Sequence, residues 1–322
     1  MEIITGTNLS NKCDYSFGDH MGGINPDSLA GGFMKYANES NTEFLEKCKH
    51  FEGRVMTLFI DNIRLYPRDL EVLEQDAPWV THLLETNDLL GLCAKLPKNK
   101  FVIFCSHEDT PIDKHIVIPE NVLGIHAVNA EYFGGKIHPF PYGLQREINR
   151  PNDVKDNRVQ ILKEEIGKPQ TPTKLLYINC GLGKNRNNKE RAYLPNFEGL
   201  DWTTCRFNEN TMHFTYDKYR EFLTEMRDHK FMICPMGHGM DCHRNWELLY
   251  MRRVPVMKLS PYFTRLMEGF PVLFVSEWSD VTQSLLEQSD HLFQQAQTMS
   301  LKKLDLGLIF NTIVSSYEIN TN

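Results

Sequence analysis

The sequence predicts an α/β fold made of two parallel-sheet halves, and three observations carry that expectation. Seven short runs are almost continuously apolar: Val55–Ile60, Lys100–Cys105, Val122–Ala127, 174–179, 230–234, Val254–Lys258 and 272–275. Strands buried on both faces read this way, because helices cover each side of a parallel sheet. Helical patterns alternate with these runs, which is the order of strand–helix–strand units. A polar, Pro-punctuated stretch between Leu144 and Thr173 separates the runs into two groups. The length of 322 residues suits two domains of about 150 each.

Each element follows in chain order. The first half has strands at 55–60, 100–105 and 122–127, with a helix expected over 77–94. The connecting stretch, QREINRPNDVKDNRVQILKEEIGKPQTPT, is charged and broken by proline, with one helix expected over 154–166 and a linker at 167–172. The second half has strands at 174–179, 230–234, 254–258 and 272–275. Helices are expected there over 217–228, 243–252 and 281–298, and a last one over 301–317. The expected division is residues 1–150, a linker at 151–172, residues 173–300, and a C-terminal segment 301–322 that packs back on the first domain.

Composition excludes several classes. A net charge of -7 argues against general nucleic-acid affinity, which needs clustered Lys and Arg. No apolar run is long enough to span a bilayer. The first residues show no basic stretch followed by an apolar one, so no secretory signal is expected and the cytoplasm is the expected location. The eight cysteines form no C-x-x-C pair and read as buried small hydrophobes in a reducing compartment.

Chemistry concentrates in residues 231–257, FMICPMGHGMDCHRNWELLYMRRVPVM. This reads as a strand, a loop with Gly237 and Gly239, a helix opening near Asp241 as its N-cap, and another strand. The two glycines let backbone approach a ligand, with His238 between them. A helix N-terminus binds anions through its free amides, and Arg244 in the first turn adds a fixed charge. Glu247 lies three residues on, on the same face. Arginine can grip a diphosphate and a carboxylate can accept ribose hydroxyls, so the pair suits a nucleoside diphosphate. The competing structural reading is an ordinary capped loop with an i,i+3 ion pair. A second basic stretch, CGLGKNRNNKER, follows the strand at 174–179 and brings Lys184, Arg186, Lys189 and Arg191 to a strand end.

The stretch 231–257 resembles the signature of exostosin-like glycosyltransferases and of related bacterial and large-virus sugar transferases. The resemblance rests on the apolar strand, Pro235, Gly237, the loop 238–241, Arg244, Trp246-Glu247 and Pro255-Val256. A weaker likeness extends to SHEDTP at 106–111 and to HAVNAEYFGGKIHPFPYGL at 126–144. One departure stands out: Arg252-Arg253 replaces the small or glycine-containing turn usual before Pro-Val. The resemblance implies the GT-B architecture, two Rossmann-like parallel-sheet domains facing an inter-domain cleft, with the nucleotide sugar held mainly by the second. It implies Arg186 or Arg191 as phosphate ligands; Arg206-Phe207, after the next expected strand, is placed to bracket the base. It implies a UDP-sugar as substrate, an inverting transfer to a glycan hydroxyl, and a lean toward xylose.

No D-x-D motif occurs, so charge neutralisation by side chains and a helix dipole is expected, with no essential metal and no cofactor. An inverting transfer needs a general base. Two loops of the first half qualify. SFGDHMGG frames Asp19 and His20 with glycines, and SHEDTPID places His107 and Asp109 after a buried strand. Asp19 is preferred for its accessibility; Asp109 and His107 remain open as base or as donor and acceptor contacts. Other classes were weighed. One alternative is another nucleotide-binding α/β enzyme such as a sugar-nucleotide epimerase or a dehydrogenase; a dehydrogenase would want G-x-G-x-x-G, and neither GLGKNR nor GHGMDCHR has the third glycine. A non-catalytic glycan-binding module would bind nucleotide without releasing sugar.

Overall fold

A computed structural model describes residues 1–17, 41–60, 65–66, 88–106, 111–112, 114–144, 158–169, 171–182, 188–207, 216–237 and 239–319. It is a mixed α/β chain with two five-stranded sheets whose named strands pair in parallel throughout. The chain divides into two compact units. The first comprises residues 1–142, with 146–156 and 302–322 assigned to it; the second comprises 143–145 and 157–301. Among the described residues no helix is long and apolar enough to cross a membrane. All eight cysteines are free thiols.

The sheet of the first unit runs β1 (Tyr15–Ser16), β2 (Val55–Ile60), β3 (Lys100–Cys105), β4 (Val122–Ala127) and β5 (Ile137–Pro139), in that spatial order. Residues Phe101 to Cys105 are fully buried, which is why their sequence shows no polar alternation. Short helices α1 (Gly6–Ser10), α2 (Asn41–Lys49) and α3 (Leu89–Ala94) accompany it. Of the stretch expected as one helix over 77–94, Leu89–Ala94 is helical but begins a helix of its own, because Asp88 before it is a non-helical N-cap. Its start is capped by Asp88, whose carboxylate accepts from the Gly91 amide at 2.8 Å.

The C-terminal helix Leu306–Ile319 belongs to this first unit. Its start is tied to the N-terminus: the Leu306 amide donates to the Glu2 carbonyl, and the Glu2 amide donates to Asp305, both at 2.9 Å. Phe310 stacks on Phe104 with ring centroids 5.0 Å apart. Near the other end, the Tyr317 hydroxyl lies 3.1 Å from His126 Nε2. Gly124 makes room for it, since a Cβ there would sit 2.0 Å from the tyrosine oxygen.

His126 is 7% exposed, stacked between Phe104 and His138. Burial, reinforced by His138, pushes its pKa down to about 3. The folded state therefore holds this imidazole neutral, whereas the unfolded chain protonates it near pH 6.5. The stability it contributes is complete above pH 6.5 and lost as pH falls from there toward 3. Between pH 6.5 and 5, unfolding stability should fall by up to about 1.4 kcal/mol per pH unit from this group alone. His229 in the second unit shifts the same way through burial, so the informative quantity is a difference. Urea unfolding of wild type and His126→Gln should show a shallower pH slope in the variant. Equal slopes would reject the assignment.

The second sheet has β6 (Lys174–Cys180), β7 (Thr203–Phe207), β8 (His229–Ile233), β9 (Val254–Lys258) and β10 (Leu273–Val275), in the spatial order β10-β9-β8-β6-β7. The chain starts at β6, passes through the short helix α5 (Asn188–Arg191) out to β7, and returns to the opposite side of β6 to lay down β8, β9 and β10. The direction of winding thus reverses between β6 and β8. In open α/β sheets the crevice at the carboxyl ends of the two strands flanking such a reversal is where ligands bind. Apolar side chains of β6, β8 and β9, among them Leu176, Ile178, Phe231, Ile233, Val254 and Val256, are fully buried on one face.

Three expectations differ here. Helix α4 (Arg158–Ile166), read as part of a linker from its charges, packs within the second unit against α6 (Tyr216–Arg227). Its Glu165 is 1% exposed and accepts from Lys168 at 2.6 Å, from Arg220 at 2.7 Å and from Arg227. The single helix expected over 281–298 is two, Gln283–Gln288 and Asp290–Thr298, joined at Ser289. The basic pair Arg252-Arg253 closes helix α7 (His243–Tyr250). Arg252 has φ of 55°, the left-handed conformation that glycine fills most easily, and its amide donates to the Leu249 carbonyl. The next amide, Arg253, donates to the Leu248 carbonyl, completing a Schellman closure. The turn thus closes in the left-handed conformation with arginine, not glycine, at that position.

Candidate functional site

The residues singled out at 231–257 converge on the carboxyl ends of β8 and β6. Helix α7 begins at His243 with Cys242 as its N-cap, and Cys242 gives no side-chain cap to the first amides. Asp241 is not the N-cap. Its Oδ1 accepts from the Cys242 amide at 2.9 Å and from Asn245 Nδ2 at 2.8 Å; its Oδ2 accepts from the Trp246 indole at 2.8 Å. At 2% exposure this carboxylate is a bracket holding the loop to the helix. Both of its oxygens are engaged by the protein. Its ring of donors was hidden in the sequence, because nothing in the order Asp-Cys-His-Arg-Asn-Trp says which side chains turn inward.

Arg244, in the first turn of α7, is the unusual group. Its Nε is buried without a hydrogen-bond partner, and no hydrogen bond or ion pair of its guanidinium is found among the described residues. Burial works against its charge; the neighbouring Cys242, Cys234, Cys180 and Glu247 work for it and raise its pKa overall. The same neighbours locate it: Cys234 follows β8, Cys180 ends β6, and Cys242 opens the helix. Arg244 therefore stands over the winding reversal between β6 and β8, beside amides that no side chain caps. A buried cation without a partner is costly, and together with such a helix start it forms a receptor for an anion.

Glu247 is 7% exposed. Burial raises its pKa, opposed by the Tyr219 hydroxyl, by Arg244 and by Arg158. Tyr219 donates to its Oε1 at 2.9 Å, and the Arg158 guanidinium lies over the Tyr219 ring, 5.6 Å from the centroid. The i,i+3 ion pair with Arg244 that spacing allowed is not formed among the described residues. Glu247 directs one oxygen to Tyr219, while Arg244 makes no hydrogen bond among the described residues.

The loop before the helix is held by Arg191. Its Nε donates to the Met236 carbonyl at 3.0 Å, and its Nη1 to the Gly181 carbonyl at 2.8 Å. Glu190 accepts from the Met236 amide at 2.9 Å. Arg191, expected among the phosphate ligands, thus clamps the two glycine-bearing loops together, and Gly237 lies against it. The Gly237 amide donates to the Gly239 carbonyl at 3.1 Å, so these glycines close a tight turn. The His243 ring donates from Nδ1 to the carbonyl of Gly143, whose φ of 69° suits glycine. That contact joins the end of the PYGL segment to the helix carrying Arg244. Arg206, expected beside the base, is half-exposed and forks onto Glu225 at 2.8 and 3.1 Å.

Glu225 also accepts from the Tyr177 hydroxyl at 2.6 Å, and that hydroxyl accepts from Asn179 Nδ2 at 2.7 Å. Tyr177, Asn179, Tyr219 and Glu225 were not read from the sequence as site residues. The available signal was the polar Asn179 near the carboxyl end of an otherwise apolar strand. Asp19, His20, His107, Asp109, Lys184, Arg186 and His238 lie outside the described residues. Among the described residues no group of three or more His, Cys, Asp and Glu is arranged to hold a metal ion.

Compared with known proteins, the chain matches no family model and no curated sequence.

Proposed function

We propose that this chain is a glycosyltransferase of the exostosin-like, GT-B kind, which binds a nucleoside-diphosphate sugar in its second unit and transfers the sugar to a glycan hydroxyl. The observation that carries the reading is Arg244: an unpartnered guanidinium beside uncapped amides, at the winding reversal of a parallel sheet. A diphosphate supplies the acceptor oxygens this group lacks. Arg244 and the helix start then stabilise the negative charge that builds on the departing diphosphate as the glycosidic bond breaks, a task done elsewhere by a metal. Tyr219 orients Glu247 by holding one oxygen, leaving Oε2 with no partner among the described residues and suited to accept a ribose hydroxyl. Uracil is the proposed base, xylose the first donor sugar to try, and inversion without an essential metal the proposed course. The first unit supplies the acceptor site and the general base, drawn from Asp19, Asp109 and His107.

Calorimetry with UDP, uridine and inorganic pyrophosphate tests this directly. UDP and pyrophosphate should bind and uridine should not. Arg244→Met should weaken UDP by tenfold or more, since hydrogen bonds to charged groups contribute about 1.5–3 kcal/mol. A panel of UDP-sugars should then release UDP in the presence of a chelator. If no nucleoside diphosphate binds, or Arg244→Met binds UDP as wild type does, the proposal fails.

A further inference from the structure

The amide of Asn179 is held in one orientation and has half of its capacity unused. The side chain is 4% exposed near the carboxyl end of β6. Its Nδ2 donates to the Tyr177 hydroxyl at 2.7 Å, and that hydroxyl donates its own proton to Glu225 at 2.6 Å. Glu225 is in turn gripped by the Arg206 fork. Turning the amide over would set Asn179 Oδ1 against a hydroxyl whose proton is already committed to a carboxylate. The chain of donors therefore points Oδ1 away from Tyr177, and Oδ1 is buried with no hydrogen-bond partner. A buried acceptor left in that state is rare and calls for an occupant.

The unused acceptor and the unused donor sit at the carboxyl ends of neighbouring strands. Asn179 is the next-to-last residue of β6, which pairs with β8, and Arg244 lies in the first turn of the helix that follows β8, its charge acting on Tyr177 and Cys180. The crevice thus presents a cation that wants an acceptor and a neutral amide oxygen that wants a donor. An inorganic phosphate meets the first need with its charge and brings to the second only the single P–OH proton it keeps at neutral pH. A phosphoryl group carrying hydroxyls nearby meets both.

We propose that Asn179 is a specificity-determining residue that accepts a hydrogen bond from a hydroxyl of the ligand held at Arg244, and so distinguishes a glycosylated or ribosylated diphosphate from inorganic phosphates. This rests on the reading of the site as a nucleoside-diphosphate-sugar site. The hydroxyl belongs either to the ribose or to the transferred sugar, and the probes separate the two. The residue contacts substrate without taking part in bond making or breaking.

The test is a ligand series measured by calorimetry on wild type and Asn179→Ala: inorganic pyrophosphate, UDP, 2′,3′-dideoxy-UDP and UDP-xylose. Removing one partner of a buried hydrogen bond corresponds to about ten- to a hundredfold in affinity. Pyrophosphate should bind both proteins equally. If the ribose is read, UDP weakens at least tenfold in the variant, while dideoxy-UDP binds wild type and variant alike. If the sugar is read, UDP is unchanged and the extra affinity of UDP-xylose over UDP disappears. Should the alanine variant not fold, Asn179→Ser takes its place with the same expectations, and in wild type dideoxy-UDP binding as tightly as UDP, with UDP-xylose no tighter than UDP, overturns the proposal. So does a folded Asn179→Ala that binds all four ligands as wild type does. Parallel loss of pyrophosphate overturns it too, by showing that Asn179 acts through Arg244. Wild-type protein that binds none of the four overturns the nucleotide reading itself, and this proposal with it.

Discussion

Replacing Asp241 by alanine should unfold the second unit at markedly lower denaturant, whether or not a ligand is present. Three donors converge on this carboxylate: the Cys242 amide, the Asn245 side chain and the Trp246 indole. Asn245 and Trp246 are both fully buried, so neither can turn to water when the acceptor is removed. Each stranded donor costs about 1–3 kcal/mol, which puts the total near 3 kcal/mol or above. That is a large share of the stability of an ordinary domain. Urea unfolding followed by tryptophan fluorescence measures it, and the midpoint should move while the slope with denaturant stays constant. A variant of near wild-type stability that has lost UDP affinity would return Asp241 to the ligand.

The role of Asp241 shows where reading from sequence ends. Strand positions were legible because burial on both faces removes polar residues from a run. Val55–Ile60, Lys100–Cys105, Val122–Ala127 and Val254–Lys258 begin and end where the apolar pattern does. The same rule misses Tyr15–Ser16, which is too short to show a pattern. The candidate site was legible as a location, since glycines, an arginine and a glutamate after a buried strand are local features. Its division of labour was not. Arg191, Arg206 and Arg244 look alike as residue types. The first is engaged by backbone carbonyls, the second by Glu225, and the third by nothing among the described residues. Which cation remains available is decided by contacts across 10 residues for Arg191 and Gly181 and 19 for Arg206 and Glu225, beyond the reach of spacing rules. Asn179 is the same case: its orphaned oxygen follows from a Tyr177–Glu225 bond spanning 48 residues.

Helix Arg158–Ile166 carries the second large effect. Glu164 and Glu165 are adjacent acids in a stretch whose charges suggest a solvated linker, yet their surroundings are opposite. Glu164 is 42% exposed and meets Arg220 at the surface, while Glu165 is 1% exposed and receives Lys168, Arg220 and Arg227 together. Removing the surface partner should change stability little, because exposed pairs are screened and flexible. Removing Glu165 leaves the guanidinium of Arg227, itself 8% exposed, without its carboxylate, and a broken buried pair costs about 3 kcal/mol or more. Burial by itself would raise the Glu165 pKa; the bond from Lys168 and the charges of Arg227 and Arg220 outweigh it and hold the group below the usual carboxylate value. Its stabilisation is therefore present above about pH 4.5 and lost as pH falls through the depressed folded value. Urea unfolding at pH 7 should rank Glu165→Ala far below Glu164→Ala, and the gap should narrow progressively as the pH is lowered below 4.5. Equal stabilities at pH 7 would mean that α4 is held to α6 by its apolar contacts alone, with the buried charge cluster contributing nothing net.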